Sequence, residues 1–273
     1  MKILSYNILG GFHINKIRQN LNFDNYDIIC FQEYPMDGGI DHLFNTKFTI
    51  LKHTTLNLKK QGKKLGLALL FRKQCFDVTE YKKILLKKPP IKFIFRQYLR
   101  LVVNDDQSLN RLIKAYELTH KLTKEKLLII NTHLYWEGDS SYLESQLLRI
   151  LDNVSDYKHK IILCGDLNTT SKSKRNLLKQ TMNSYNFQES QKNRSGTFQY
   201  FSNFNLPKDP FNKPKKLLSK LFPLNKLGTK EFDYIFYKNF EYRLDTTVYK
   251  IKGSDHFPLS VDLDQSILSQ SNI

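Results

Sequence analysis

Cysteine is scarce in this chain, and the little there is excludes several classes. Cys30, Cys75 and Cys164 are the only three among 273 residues. An odd count, placed in or beside apolar runs, argues against a disulfide framework and for buried reduced thiols. No Cys-x-x-Cys motif or Cys/His cluster suggests structural zinc. Long apolar runs are missing as well: none approaches the ~20 residues of a membrane span. Met1 to Tyr6 reads as a strand, too short and too polar for a secretory leader. No internal repeat or low-complexity linker interrupts the chain. Acidic residues are outnumbered, 26 against 43 Lys and Arg, giving a formal charge of +17. That balance favours polyanions, either nucleic acid or an anionic membrane surface. The expectation is an intracellular protein of a reducing compartment, cytoplasmic or nuclear.

Apolar residues make up 40% of the chain and aromatics 13%, enough to bury a sizeable core. Short apolar strands recur, with helical patterns between some of them. The spacing predicts strands at 2–9, 27–32, 48–53, 66–72, 75–81, 98–103, 112–119, 126–132, 160–164, 232–237, 245–251 and 257–263. Helices are predicted at 14–21, 141–154 and 173–184, with short ones near 38–45 and 215–222. Residues 188–230 carry Pro207, Pro210, Pro214 and Pro223, many Lys and no clear period. They read as a basic loop insertion in a single domain spanning 1–264, and 265–273 reads as a tail. Strands covered by helices suggest two packed sheets with outer helical layers.

Five segments carry chemistry. Asn7 and Glu33 each close an apolar strand. A lone strand-end Glu can anchor magnesium, which takes one or two carboxylates with water and phosphate oxygens. His133 follows the apolar Leu127-Leu128-Ile129-Ile130 and could donate to a phosphoryl oxygen. Ile161-Ile162-Leu163-Cys164-Gly165-Asp166-Leu167-Asn168 is the strongest segment. Alternation points Asp166 and Asn168 to one side if the strand continues. There Asp166 could take a proton from water, while Asn168 orients the phosphate or that water. Asp233 sits within an apolar strand, where an unpaired charge would be expensive. Its partner is expected to be His256, in Gly253-Ser254-Asp255-His256-Phe257-Pro258-Leu259.

Together, in this order, the five segments resemble the endonuclease/exonuclease/phosphatase superfamily, the deoxyribonuclease I-like fold. The resemblance runs from Asn7 to His256. Gly66-Leu67-Ala68-Leu69-Leu70-Phe71 and Ser195-Gly196-Thr197-Phe198 also look like family segments. It implies a four-layered α/β sandwich with two central mixed β-sheets, and phosphoester hydrolysis with Mg²⁺ or Mn²⁺. By the resemblance, Asn7 and Glu33 stand at the metal, with Asp255 helping to hold a metal or water. Asp166 positions or activates water beside Asn168, His133 and His256 contact the scissile phosphate, and Asp233 orients a histidine. Abasic-site endonucleases of the family have an acidic residue two positions after the first Asn. Leu9 stands there instead. Thr132-His133-Leu134-Tyr135-Trp136 looks more like the RNA-directed branch of deadenylases and 2′-phosphodiesterases.

The substrate expected is therefore single-stranded RNA, taken from its 3′ end. Lys63 and Lys64 are expected to hold phosphates, and Tyr135, Trp136 and Phe198 to contact the substrate, as Lys and aromatics do on single strands. Three other readings stay open. One is a lipid-directed phosphoesterase, sphingomyelinase-like or an inositol-phosphate phosphatase, with Pro89-Pro90-Ile91-Lys92-Phe93-Ile94-Phe95 at an anionic membrane surface. The others are a DNA endonuclease and a catalytically degenerate binding module.

Overall fold

The computed structural model describes residues 1–58, 62–87, 111–136, 138–193, 196–199 and 229–264. The expected strand at 98–103, the apolar run at 89–95, the helix at 215–222 and the tail at 265–273 lie outside the described residues.

Two mixed sheets form the centre. Sheet 1 contains β1 (Lys2–Asn7), β2 (Ile28–Pro35), β3 (Phe48–Leu58), β4 (Lys63–Arg72), β10 (Gln191–Lys192), β14 (Asp245–Val248) and β15 (Leu259–Asp262). Its order is β10-β14-β15-β1-β2-β4-β3. Sheet 2 contains β5 (Phe76–Leu86), β6 (Arg111–His120), β7 (Lys126–His133), β8 (Lys160–Asp166), β9 (Gln188–Glu189) and β13 (Asp233–Lys238). Its order is β5-β6-β7-β8-β13-β9. A small ribbon pairs β11 (Phe198–Gln199) with β12 (Thr229–Lys230).

Strand alternation sorts the apolar residues into three layers. On β8, Ile162 and Cys164 face the other sheet, while Ile161 and Leu163 face outward. On β2, Cys30 faces inward and Ile29 and Phe31 outward. Outside sheet 1 the outer layer is capped by α1 (Ile14–Asn20) through Ile14 and Ile17. Outside sheet 2 lie α2 (Ser140–Asp152) and α3 (Lys172–Ser184). Leu143, Leu147, Ile150 and Leu151 recur at helical spacing on α2 and bury its stripe against the sheet. Side-chain acceptors fix both starts: Asp139 takes the Tyr142 N–H and Ser171 the Lys174 N–H. The result is a four-layered α/β sandwich.

Three sequence expectations are corrected. The helix near 38–45 is only a 3₁₀ turn at Asp41–Leu43. The first strand stops at Asn7 and gives way to a 3₁₀ turn at Leu9–Gly11. Residues 188–199 are not plain loop: β9 joins sheet 2 and β10 joins sheet 1, so the chain crosses between the sheets there. Segments two residues long carry no readable period.

Within each sheet one central pair is parallel, β1 with β2 and β7 with β8. Their carboxyl ends lie at one edge of the sandwich, where Asn7, Glu33, His133 and Asp166 stand. At the opposite ends of these strands is a cavity of about 620 Å³, lined by Met1, Phe76, His120, Leu127 and Lys160 among others.

Candidate active site

Register places three of the expected residues side by side. His133 pairs with Asp166 across β7 and β8, and Asp166 with Asp233 across β8 and β13. Gly165 allows the close approach: a Cβ there would lie 1.9 Å from the Thr132 carbonyl oxygen. Its φ of 134° also disfavours any other residue.

Asp166 is the hub. Its Oδ1 accepts from the Asn168 backbone N–H at 3.0 Å. Its Oδ2 accepts from Asn7 Nδ2 at 3.2 Å and lies 3.5 Å from His133 Nε2 and 3.6 Å from His256 Nε2. Burial disfavours the charge and raises its pKa to about 7, although the His256 charge pulls the other way. Asn7 Nδ2 also donates to Glu33 Oε1 at 3.3 Å, so one amide joins the two sheets at the site.

His256 forms a dyad with Asp233, its Nδ1 lying 2.9 Å from Oδ2 and 3.1 Å from Oδ1. Burial alone would discharge this imidazole. The carboxylates of Asp233 and Asp166 outweigh it and raise the pKa to about 10, so His256 is a cation at neutral pH. His133 goes the other way. Burial, the Arg111 charge and the His256 charge all keep its pKa well below the ordinary value, so it is neutral.

Glu33 is half-buried, and its φ of 53° is in the left-handed region. Burial and the charge of Asp255 push its pKa up. Asp255 follows Ser254, whose hydroxyl donates to the Asn7 carbonyl oxygen at 2.8 Å. The donor set fits a hard divalent cation, because oxygen ligands with unneutralised negative charge are what Mg²⁺ and Mn²⁺ take. Asp166, Asp233 and His256 also offer ligand atoms within 4.8 Å of one another. There His256 Nδ1 is already engaged with the Asp233 carboxylate. Glu33, with Asn7 and Asp255 near it, offers a second set of oxygen ligands.

The remaining expected residues divide. Phe198 is half-buried, stacks on Phe232 at 4.6 Å and puts its edge to the His256 ring at 4.8 Å. Lys63 lies over the Phe12 ring, 4.4 Å from its centroid, with Lys64 exposed beside it on β4. Trp136 is half-buried, and its carbonyl accepts from Lys174 Nζ. Tyr135 is corrected: it is 2% exposed, and its ring packs in the core under the Arg111 guanidinium. It cannot stack on a substrate. The Asn168 side chain is engaged too, donating to the Leu134 carbonyl at 2.9 Å, so the backbone N–H is its link to Asp166.

Several site residues were not found from sequence. Arg111 is buried at 2% and donates to the His133 and Leu134 carbonyls at 2.8 and 2.6 Å. The readable signal is an Arg opening an alternating strand. Thr197 Oγ1 accepts from the N–H groups of Phe232 and Asp233, and so fixes the dyad carboxylate from behind.

A family model described as the endonuclease/exonuclease/phosphatase family matches residues 4–256. The chain belongs to that family. Its members hydrolyse phosphoesters and are generally dependent on divalent metals. One curated relative is the CCR4-Not complex 3′-5′-exoribonuclease subunit Ccr4 of Yarrowia lipolytica. It is 22% identical over 214 residues, which is 60% of this chain and 29% of that protein. Among solved structures, the human nocturnin catalytic domain with bound sulfate aligns over 96% of this chain and 93% of its own. Its TM-score is 0.60 and its identity 18%. Mannosyl-6-phosphatase Bt3783 of Bacteroides thetaiotaomicron aligns over 96% and 98%, with TM-score 0.61 and identity 16%. At these identities the structures share the fold. Among the described residues no helix is long and apolar enough to cross a membrane.

Proposed function

We propose that this chain is a divalent-metal-dependent phosphodiesterase that shortens single-stranded RNA from its 3′ end. The observation that carries the reading is the charge pattern around Asp166. A carboxylate titrating near neutrality lies within reach of one neutral and one protonated imidazole, and an amide ties it to a second carboxylate.

Each group has a task. Asp166 takes a proton from the attacking water, and a pKa near 7 suits a base at neutral pH. The new bond forms between that oxygen and phosphorus, and the bond to the preceding 3′ oxygen breaks, that oxygen leaving with the electron pair and taking a proton from solvent to become a 3′-hydroxyl. His256 donates its Nε2 proton in a hydrogen bond to a phosphoryl oxygen, while Asp233 holds its other nitrogen and its charge. His133 stays neutral beside Asp166, so it does not add a second positive charge that would weaken the base. Glu33, Asn7 and Asp255 would hold Mg²⁺ or Mn²⁺, which when bound neutralises phosphate charge and makes water more acidic.

Two features support RNA as the substrate. The net charge of +17 suits a polyanion. Phe198 packs against the His256 ring, so an aromatic side chain stands at the site, where aromatics contact bases of single strands. The Ccr4 relative carries an exoribonuclease name, which points the same way.

The test is incubation with Mg²⁺ and separate substrates: 5′-labelled poly(A), mixed single-stranded RNA, duplex DNA, sphingomyelin, phosphoinositides and mannose 6-phosphate. Stepwise shortening of RNA with release of 5′-mononucleotides is expected. Hydrolysis of a lipid or the sugar phosphate with RNA left intact would overturn the proposal.

A further inference from the structure

The contact between the two sheets is apolar along most of its length, from Ile3, Ile28 and Leu127 up to Cys30, Ile129 and Cys164. Just beneath the active site it becomes polar. Ser5, Gln32 and Asn131 are buried there at 1%, 0% and 4% exposure. Asn131, on β7, reaches across to sheet 1. Its Nδ2 donates to the carbonyl oxygens of Phe31 at 2.9 Å and Ala68 at 3.0 Å. Its Oδ1 accepts from Gln32 Nε2 at 2.7 Å. Gln32 Nε2 is also near Ser5 Oγ and the Cys30 carbonyl oxygen.

Phe31 and Ala68 are a registered pair of β2 and β4, the last before a break. The ladder resumes at Tyr34 with Gly66, so β2 carries one extra residue between Phe31 and Tyr34. The packing shows the same insertion. Ile29, Phe31 and Tyr34 all face the outer layer, whereas strict alternation would turn Tyr34 inward. Glu33, left-handed at φ 53°, is at this bulge. An unbroken strand would aim Glu33 toward the outer layer, away from Asp166. The bulge re-aims it. At the edge of this break one side-chain amide of the opposite sheet donates to two backbone carbonyls, one on each strand.

We infer that Asn131, backed by Gln32, is a positioning residue for Glu33. It is two residues before His133 on the same strand. It therefore references the bulge of sheet 1 to the histidine and Asp166 of sheet 2. The distance between the metal-holding carboxylate and the proton-handling groups is set by this amide as well as by Asn7. The inference rests on the reading of Glu33 as the metal carboxylate, and not on the choice of RNA as substrate.

Direct Mn²⁺ binding to the metal-free chain, followed by the electron paramagnetic resonance of free Mn²⁺, tests it without substrate. Glu33→Gln is the reference and is expected to lose the tight site. Asn131→Leu removes the amide at similar volume. It is expected to keep the wild-type far-ultraviolet circular dichroism and to bind Mn²⁺ about 10- to 100-fold more weakly, as outer partners of metal ligands do. Its kcat on a cleaved substrate should fall while KM stays near wild type. Wild-type Mn²⁺ affinity in Asn131→Leu, with the site lost in Glu33→Gln, would overturn the inference alone. Unchanged binding in Glu33→Gln would overturn both it and the metal assignment. Should Asn131→Leu fail to fold, Gln32→Leu decides. It frees the Asn131 Oδ1, and weaker Mn²⁺ binding is expected, whereas wild-type affinity refutes the role.

Discussion

His256 and His133 face the same carboxylate oxygen, yet they hold opposite charge states, and their surroundings explain it. His256 has Asp233 against its far nitrogen. His133 has the Arg111 guanidinium bound to its own carbonyl. This assigns the limbs of a pH profile. The value of kcat/KM should rise as Asp166 loses its proton near pH 7 and fall as His256 loses its proton toward pH 10. Asp233→Asn removes the carboxylate that contributes most to holding the imidazolium, so the alkaline limb should move down toward the ordinary histidine value. An alkaline limb that stays in place would show that Asp233 does not set it. Stability follows the same proton. His256 binds it more tightly folded than unfolded, so its contribution is complete below the ordinary value of 6.5 and is lost as pH rises through about 10. Thermal unfolding of the metal-free protein should show this decline, and the decline should shrink in Asp233→Asn.

Strand ends build the site, and one glycine sets their spacing. Gly165→Ala places a methyl against the Thr132 carbonyl, in the residue pair next to His133 and Asp166. Backbone meets it there, so the strands must part. A loss of about 3 kcal/mol or more is expected, visible as a fall in Tm and in expression of folded protein. Much of this element level was readable in advance. Asn7, Glu33, His133 and Asp166 each end an apolar run with a polar group, and that contrast survives in one sequence. The bulge at Glu33 did not show, because an inserted residue changes the face and not the composition. Asn131 and Gln32 were passed over since their partners are about a hundred residues away, in the other sheet. Tyr135 was misread for the opposite reason. It follows a site histidine in sequence, but Arg111 holds the backbone at 133–134 so that the ring turns into the core. The crossing at β9 and β10 depends on pairing with strands already in place, which two-residue segments do not announce.

At the scale of the molecule, the sandwich brings groups from both ends of the chain to one edge, and the chain carries a surplus of 17 positive charges. If several lysines contact the RNA backbone, kcat/KM on single-stranded RNA should drop roughly tenfold or more between 50 and 200 mM salt. A flat salt response would argue for a small or uncharged substrate. The fold class was legible from the alternation of strands and helices, and the family from the order of five short motifs. The substrate was not, because charge and aromatics on the surface serve many ligands. The most direct check of the central claim is single-turnover cleavage of 5′-labelled RNA with Mg²⁺ by the wild type, Glu33→Gln and Asp166→Asn. Each variant should remain folded and lose about 10²- to 10³-fold in rate. Wild-type rates in either variant would contradict the claim that these two carboxylates, brought together from different sheets, form the reaction centre.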